Sequence, residues 1–393
     1  MARAKLKVGL LWHSASSGNL GVAALTVANM AIAKQAAKDV GVECEFVILG
    51  MRDGICSYVR PEEAEVFILN TRSLLGPGGF LREVGRLDCV LDIGGGDSFT
   101  DIYSDLRYAY ISLTKGMTHL RGVPLLLSPQ TIGPFTKPLH TAFARWSLKR
   151  SHPVVARDIP SYELARKLAP RAKVVQSTDV AFALPFDDRG RERNGAKLRV
   201  GVNVSGLLSS WDEQGQNHFG LSFHYGDLTR RFLAELSRRP DVEIHLITHA
   251  TADYHKDDDG WAVDQMAQEF PDAIRVPDFA GPSEAKSYIS SLDFLTAARM
   301  HACIGAFSAL TPVVPVAYSR KFRGVFGQLN YPWYVDTQGR DTDQALAFLL
   351  DCLDRRHELG AAAAKGMQQV EPLLSAYSAE LRALFSDVAA KAA

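Results

Sequence analysis

The 393-residue sequence predicts an α/β protein made of two Rossmann-like domains. Short continuous apolar runs alternate with alanine-rich or amphipathic stretches, as expected for parallel strands buried on both faces and the helices that cover them. The alternation stops at a charged segment, FDDRGRERNGAK (186–197), and then begins again. A chain of 393 residues also exceeds the size at which one hydrophobic core keeps growing. The expected division is a domain at 1–185, a linker at 186–197, a second domain at 198–375 and a C-terminal helix at 376–393.

The first half opens with the strand KVGLLW (7–12), a Gly/Ser-rich turn and an alanine-rich helix over about Val22 to Lys38. Strands follow at ECEFVIL (43–49) and DCVLDI (88–93), the latter ended by GGGDS and followed by a helical stretch through Tyr110. VPLLLS (123–128), a helix at 138–150, PVVA (153–156) and VVQS (174–177) complete this half. In the second half the strands are LRVGVNVS (198–205), EIHLITH (243–249), FLTAA (294–298) and VVPVAY (313–318). Helices are expected at 228–239, 261–269, 301–310 and 320–329, with helix-forming alanine-rich sequence over 343–393.

Hydrophobic residues make up 47% of the chain, which places it among globular proteins and outside the disordered range. Basic and acidic residues both number 44, so net charge offers no case for nucleic acid or an anionic membrane as partner. The five cysteines (Cys44, Cys56, Cys89, Cys303, Cys352) show no CxxC pair or zinc-like spacing, which points to a reducing compartment. The apolar run before His13 is too short for a signal peptide, and no run of eighteen apolar residues is present. The expectation is a soluble cytoplasmic protein, with peripheral attachment at the inner membrane face as a variant of it. No metal or cofactor is expected, and oligomeric state is unread.

Open α/β sheets bind ligands outside the carboxyl ends of their strands, so the loops there carry the functional argument. The first, His13 to Gly21, holds Gly18, Asn19 and Gly21 at a helix start; it is either a ligand-approach loop or a plain strand–helix turn. Gly94-Gly95-Gly96-Asp97 directly follows a strand. The glycines clear space for something to come close, while Asp97 is either a site carboxylate or a helix cap. Gln130, between Pro129 and Gly133, offers an amide for a sugar hydroxyl or forms part of a surface turn. Arg157 is a cation at a strand end, or a partner of Asp158.

Arg299 follows the strand FLTAA and His301 sits at the next helix start, where unpaired N–H groups favour negative charge. A structural Arg–Asp pair with a core histidine is the plain alternative. Against it stands the next loop, Tyr318-Ser319-Arg320-Lys321-Phe322-Arg323, whose cations open a helix and call for an anion nearby. The loop from His249 to Asp259 has metal-ligand residue types but no matching spacing, and is expected to be solvated. No nucleophile elbow, Walker A loop or HExxH is present.

Taken in order, SGNLG (17–21), DIGGGDSFTD (92–101), SPQTIGPF (128–135), VARDIPSYELA (155–165), STDVAFAL (177–184) and AARMHACIGAFSALTPVVPVAYSRKFRGVFGQL (297–329) resemble the polysaccharide pyruvyl transferase family. The resemblance implies two Rossmann-like domains in a GT-B-like arrangement with an interdomain cleft. It further implies transfer of a pyruvyl group from phosphoenolpyruvate, as co-substrate, to hydroxyls of a saccharide acceptor, free or lipid-linked. Arg299 and His301 match the family's R-x-H donor motif and are expected to be catalytic, His301 as general acid. Arg157, Lys321 and Tyr318 are expected on the donor side, and Asn19, Gly95, Gly96, Asp97 and Gln130 on the acceptor side. The chain departs from the family at Val22, where an acidic residue is common. The competing readings are a GT-B glycosyltransferase with a nucleotide-sugar donor and a catalytically silent glycan-binding protein.

Overall fold

The computed structural model describes residues 5–52, 54, 57–193, 195–213, 219–251 and 257–392, without the side chains of 210–213, 320, 321, 323 and 392. Two compact units result. Unit 1 holds residues up to Ser17, Leu25–Ala183 and Val370 onward; unit 2 holds Gly18–Ala24 and Leu184–Gln369.

Unit 1 contains β1 (Lys5–Leu11), most of α1 (Leu20–Asp39), β2 (Glu43–Gly50), β3 (Ala64–Ile68), α2 (Thr71–Leu75), α3 (Phe80–Val84), β4 (Cys89–Asp92), α4 (Asp105–Leu120), β5 (Leu125–Gln130), α5 (Pro138–Leu148), β6 (Val154–Ala156), α6 (Ile159–Leu168) and β7 (Val174–Gln176). Its seven strands run parallel in the order β3-β2-β1-β4-β5-β6-β7. The central strands are continuous apolar runs because helices cover both sheet faces, and Val8, Leu10, Leu91 and Leu126 are fully enclosed. Among the described residues α1 is the one helix long and apolar enough to cross a membrane, and 67% of that window is buried within the protein, as in a core helix.

Unit 2 contains β8 (Leu198–Asn203), α7 (Gly206–Glu213), α8 (Tyr225–Ser237), β9 (Val242–Ile247), α9 (Asp259–Glu269), β10 (Ile274–Arg275), α10 (Pro282–Ser290), β11 (Phe294–Ala297), α11 (Met300–Ser308), β12 (Val313–Ala317), α12 (Arg320–Gly327), β13 (Val335–Asp336), α13 (Thr342–Asp354) and the first part of α14 (Arg356–Ala392). Its six parallel strands take the order β10-β9-β8-β11-β12-β13. In each unit the chain order reverses at the first strand, between β1 and β4 and between β8 and β11. Those reversals are the switch points where open sheets form a ligand crevice.

Four sequence expectations change. The segment 186–197 is not a loose linker: Arg193 donates to the carbonyls of Ser290, Leu310 and Ala309, each at 2.8 Å, and the boundary falls at Ala183/Leu184. The helix expected at 376–393 is the end of α14. From Val370 it belongs with unit 1, where Leu373 accepts from Ser177 Oγ at 2.9 Å and Glu380 pairs with Lys173 at 2.6 Å. Strand β5 runs on through Gln130, since a register shift between Leu127 and Gln130 accommodates Pro129. Finally, β3, β10, β13, α2, α3, α7 and α10 were not anticipated; most are short, and the edge strands are partly exposed and lack a strong apolar run.

Candidate functional site

The second switch point is built around one buried carboxylate. Asp258 caps α9, accepting from the Gly260 N–H at 3.0 Å, and so places Asp259 in the first turn with no solvent exposure. Its Oδ2 accepts from Asn203 Nδ2 at 3.0 Å and from the N–H groups of His249 and Ala250, both at 3.1 Å. Its Oδ1 accepts from the Gly206 N–H at 3.0 Å and from Arg299 Nη2 at 2.8 Å and Nε at 3.0 Å. One side chain thereby ties together the carboxyl ends of β8, β9 and β11.

Arg299 is the N-cap position of α11, and its own N–H donates to Asn203 Oδ1 at 3.2 Å. Nη2 donates further to Asp257, to Oδ1 at 2.7 Å and to the carbonyl at 3.0 Å. Burial works against the guanidinium charge, but Asp259 and Asp257 outweigh it and hold the pKa above the ordinary arginine value. The fork expected to grip a donor is thus largely occupied by protein carboxylates, the plain Arg–Asp alternative. Nη1 has no acceptor among the described residues.

His301 stands at the second position of α11, half-buried, beside the glycine loop. A Cβ on Gly21 would overlap its Nδ1 and stand 2.8 Å from its Cγ, so only glycine leaves room for the imidazole. That loop is held within unit 2 by backbone pairing. Leu20 N–H donates to the His249 carbonyl at 3.1 Å, Thr251 N–H to the Gly18 carbonyl at 3.0 Å, and Asn19 bridges Ala250. Asn19 Oδ1 accepts from the Gly21 N–H at 2.9 Å, making the residue a cap for α1. His249 is buried nearby: burial first, then the charges of His301 and Arg299, push its pKa down from 6.5 to about 3 against the pull of Asp259. Tyr318 packs edge-on against Phe219, with ring centres 4.6 Å apart, and its phenol adds to the field at Arg299. The Lys321 side chain lies outside the described residues.

Asp257, Asp259 and His249 were missed because 249–259 reads as a solvated loop, and Asn203 because it reads as part of the strand at 198–205. Part of that segment, 252–256, lies outside the described residues; its two ends are bound into the site. The available signal was Asp257-Asp258-Asp259 directly before a helical stretch, a helix-start signature.

The remaining sequence candidates belong to unit 1. Gly94, Gly95 and Gly96 all have positive φ (56°, 58° and 87°), a conformation side chains rarely adopt, and they sit at the first switch point with the Gly95 N–H on the Trp12 carbonyl at 3.2 Å. A Cβ on Gly94 would overlap Gln130 Oε1. Gln130 is fully buried rather than displayed in a turn; its Nε2 donates to the Asp92 carbonyl at 2.6 Å and the Ser128 carbonyl at 3.3 Å, so the amide nitrogen is engaged within the protein. Asp97 accepts from Tyr103 Oη at 2.5 Å and caps no helix N-terminus. Arg157, 2% exposed, is locked to Asp179 at 3.0 Å and Thr131 Oγ1 at 2.9 Å, with Asp158 only at 4.0 Å. It braces β6 rather than presenting a cation. Among the described residues no group of three His, Cys, Asp or Glu is placed to hold a metal.

The family model for polysaccharide pyruvyl transferase matches residues 19–320, most of the chain. The chain belongs to the polysaccharide pyruvyl transferase family. It is therefore a transferase, and the matched span includes Arg299 and His301 at the start of α11. No curated protein matches it. Solved structures with a similar fold include Alr3699/HepE from Anabaena in complex with UDP and glucose (14% identity, TM-score 0.53, 93% of this chain and 95% of that one). Sucrose-phosphate synthase from Thermosynechococcus elongatus (11%, 0.56, 98% and 100%) and MurG from Acinetobacter baumannii (12%, 0.51, 93% and 95%) are similar as well. At these identities the likeness shows the fold alone, the two-domain α/β fold of GT-B glycosyltransferases. Within this pyruvyl transferase family fold, Gly21 clears space for His301, and Val22 donates its N–H to the Asn19 carbonyl at 3.0 Å.

Proposed function

We propose that this pyruvyl transferase family member moves the pyruvyl group of phosphoenolpyruvate onto two hydroxyls of a saccharide, forming a ketal and releasing phosphate. The observation that carries the reading is the pairing of Arg299 and His301 at the N-terminus of α11, on a switch point, with His301 packed on Gly21. Protonation of the donor's methylene carbon makes its C2 an oxocarbenium-like centre. One acceptor hydroxyl attacks C2 and loses its proton, and a second displaces phosphate to close the ketal.

His301 is assigned as the acid that delivers the first proton, a role worth about 10²–10⁴-fold in rate. Since Asp259 and Asp257 take most of the guanidinium, Arg299 acts through Nη1 and through fixing the helix start. The leading N–H groups of α11 supply further donors for the donor's anionic groups, and Lys321 is assigned to the same task. The reaction is assigned to the cytoplasm, where phosphoenolpyruvate is formed.

The test is phosphate release from phosphoenolpyruvate over a panel of free and lipid-linked saccharides, with nucleotide sugars as control donors. Phosphate release dependent on acceptor, with a 10²–10⁴-fold lower kcat for His301→Ala, is the expected result. Near-full turnover of His301→Ala removes the acid assignment. Turnover of a nucleotide sugar, with none of phosphoenolpyruvate, replaces the reading with the glycosyltransferase one.

A further inference from the structure

A cavity of about 480 Å³ lies at the edge of the unit 1 sheet opposite its switch point, outside the amino ends of β5 and β6, and the last turns of α14 form one wall. His119, Arg150, His152 and Lys391 bring basic groups to it, against a single acid, Asp387. Half-buried Val123 and buried Leu384 and Val388 give it an apolar side. We propose that this cavity binds a phosphorylated small molecule, its phosphate held by Arg150 and the neighbouring basic groups and its organic part on the apolar side.

The helix ends that meet here account for some of these cations but not all. The dipoles of α4, α5 and α14 favour a basic residue in each last turn, and His119, Arg145 and Lys391 occupy those turns. Arg150 and His152 lie beyond the end of α5 and add charge that the dipoles do not call for. Among the described residues neither of them, nor Lys391, has a carboxylate within ion-pair distance. Arg150 is nonetheless held in place. Its guanidinium carbon lies 4.6 Å from the centre of the Trp146 ring, and that ring meets His119 edge-on at 5.2 Å. Stacking orients the guanidinium and leaves its N–H groups for an outside acceptor, an arrangement suited to phosphate. His119 Nε2 stands 3.2 Å from Ser147 Oγ, which fixes the imidazole as well. The potential at that imidazole is positive: burial first, then the charges of Lys115, Arg150 and His152, push its pKa down from 6.5 to about 4. The volume falls within the roughly 300–1,000 Å³ typical of small-molecule sites, and the apolar side distinguishes the cavity from a bare cluster of surface cations.

Isothermal titration calorimetry of the full chain with phenyl phosphate should show binding that phenol does not reproduce. The donor site is a second place for a phosphate, so the binding event sought is the one retained in His301→Ala and weakened about tenfold or more in Arg150→Ala, with a smaller loss in Lys391→Ala. Arg150 and Lys391 are both exposed, so the two variants should keep the circular dichroism of the parent. Phenyl phosphate should raise the melting temperature of the parent and of His301→Ala but not that of Arg150→Ala. An Arg150→Ala protein that melts lower yet keeps its full response to phenyl phosphate assigns the residue to the helix end alone and overturns the proposal. Co-sedimentation with phosphatidylcholine vesicles containing phosphatidic acid, lost in Arg150→Ala, identifies the phosphate as that of a lipid headgroup. Phenyl phosphate binding without vesicle binding identifies a soluble ester. Binding of neither probe, equal binding of phenol, or binding indifferent to both Arg150→Ala and Lys391→Ala overturns the proposal.

Discussion

Asp259 organises the candidate site by bonding to four segments at once, and Arg299 and His301 take their positions from it and from Gly21. Gly21→Ala places a methyl group where the imidazole stands. It is expected to reduce turnover as His301→Ala does while shifting the melting temperature little, since the loop's backbone pairing persists; a rate and thermal-unfolding comparison of the two variants checks this. The buried histidines set a pH dependence. His249 falls to about 3 and His13 to about 4, chiefly through burial, so both stay neutral in the folded chain over a range where the unfolded chain takes up protons. Stability is therefore complete above about pH 6.5 and is lost as pH falls toward 4, at about 1.4 kcal/mol per pH unit for each histidine. Urea unfolding at pH 5, 6 and 7 should show that slope, and His249→Gln should flatten it by less than half, since burial lowers His119, to about 4, and His245 as well.

At the level of elements, the turn after β4 is the clearest case of backbone demand. Gly94 and Gly122 both have positive φ, 56° and 70°, but a Cβ on Gly122 meets nothing while one on Gly94 overlaps Gln130 Oε1. Gly122→Ala is expected to cost about 1–2 kcal/mol from backbone strain alone. Gly94→Ala should cost clearly more, and the difference, read from guanidinium unfolding of the two variants, isolates the close approach. The glycine run was legible in the sequence as a place where side chains must be absent. That it accommodates a buried glutamine was not, because Gln130 looked like a turn residue until the register shift in β5 carried it inside. Helix α11 was legible for the same kind of reason: an apolar run ending in Arg-x-His after a buried strand marks a strand–helix junction whatever surrounds it.

For the whole molecule, the last part of α14 completes unit 1. Tyr377 Oη donates to Asn29 Oδ1 at 2.7 Å and contacts Ser128 Oγ at 2.9 Å, while Asn29 Nδ2 donates to His13 Nε2 at 2.9 Å. His13 must then carry its proton on Nδ1, facing the Leu11 carbonyl at 3.1 Å. Tyr377→Phe leaves this buried network short of a hydroxyl and should lower stability by about 1–3 kcal/mol, measured by urea unfolding at neutral pH. The alanine-rich C-terminal sequence was readable as helix, yet nothing local says which unit its apolar face covers.

Local sequence by itself determined the alternation of strands and helices, the restart after residue 197 and the loops at strand ends, since each is written in neighbouring residues. Tertiary structure alone decided which polar groups stay available. Arg299 and Arg157 look alike as cations at strand ends, and both prove to be bound by carboxylates 40 and 22 residues away in the chain. A buried guanidinium is stable only where folding brings an acceptor to it, and local sequence does not record the distant partner.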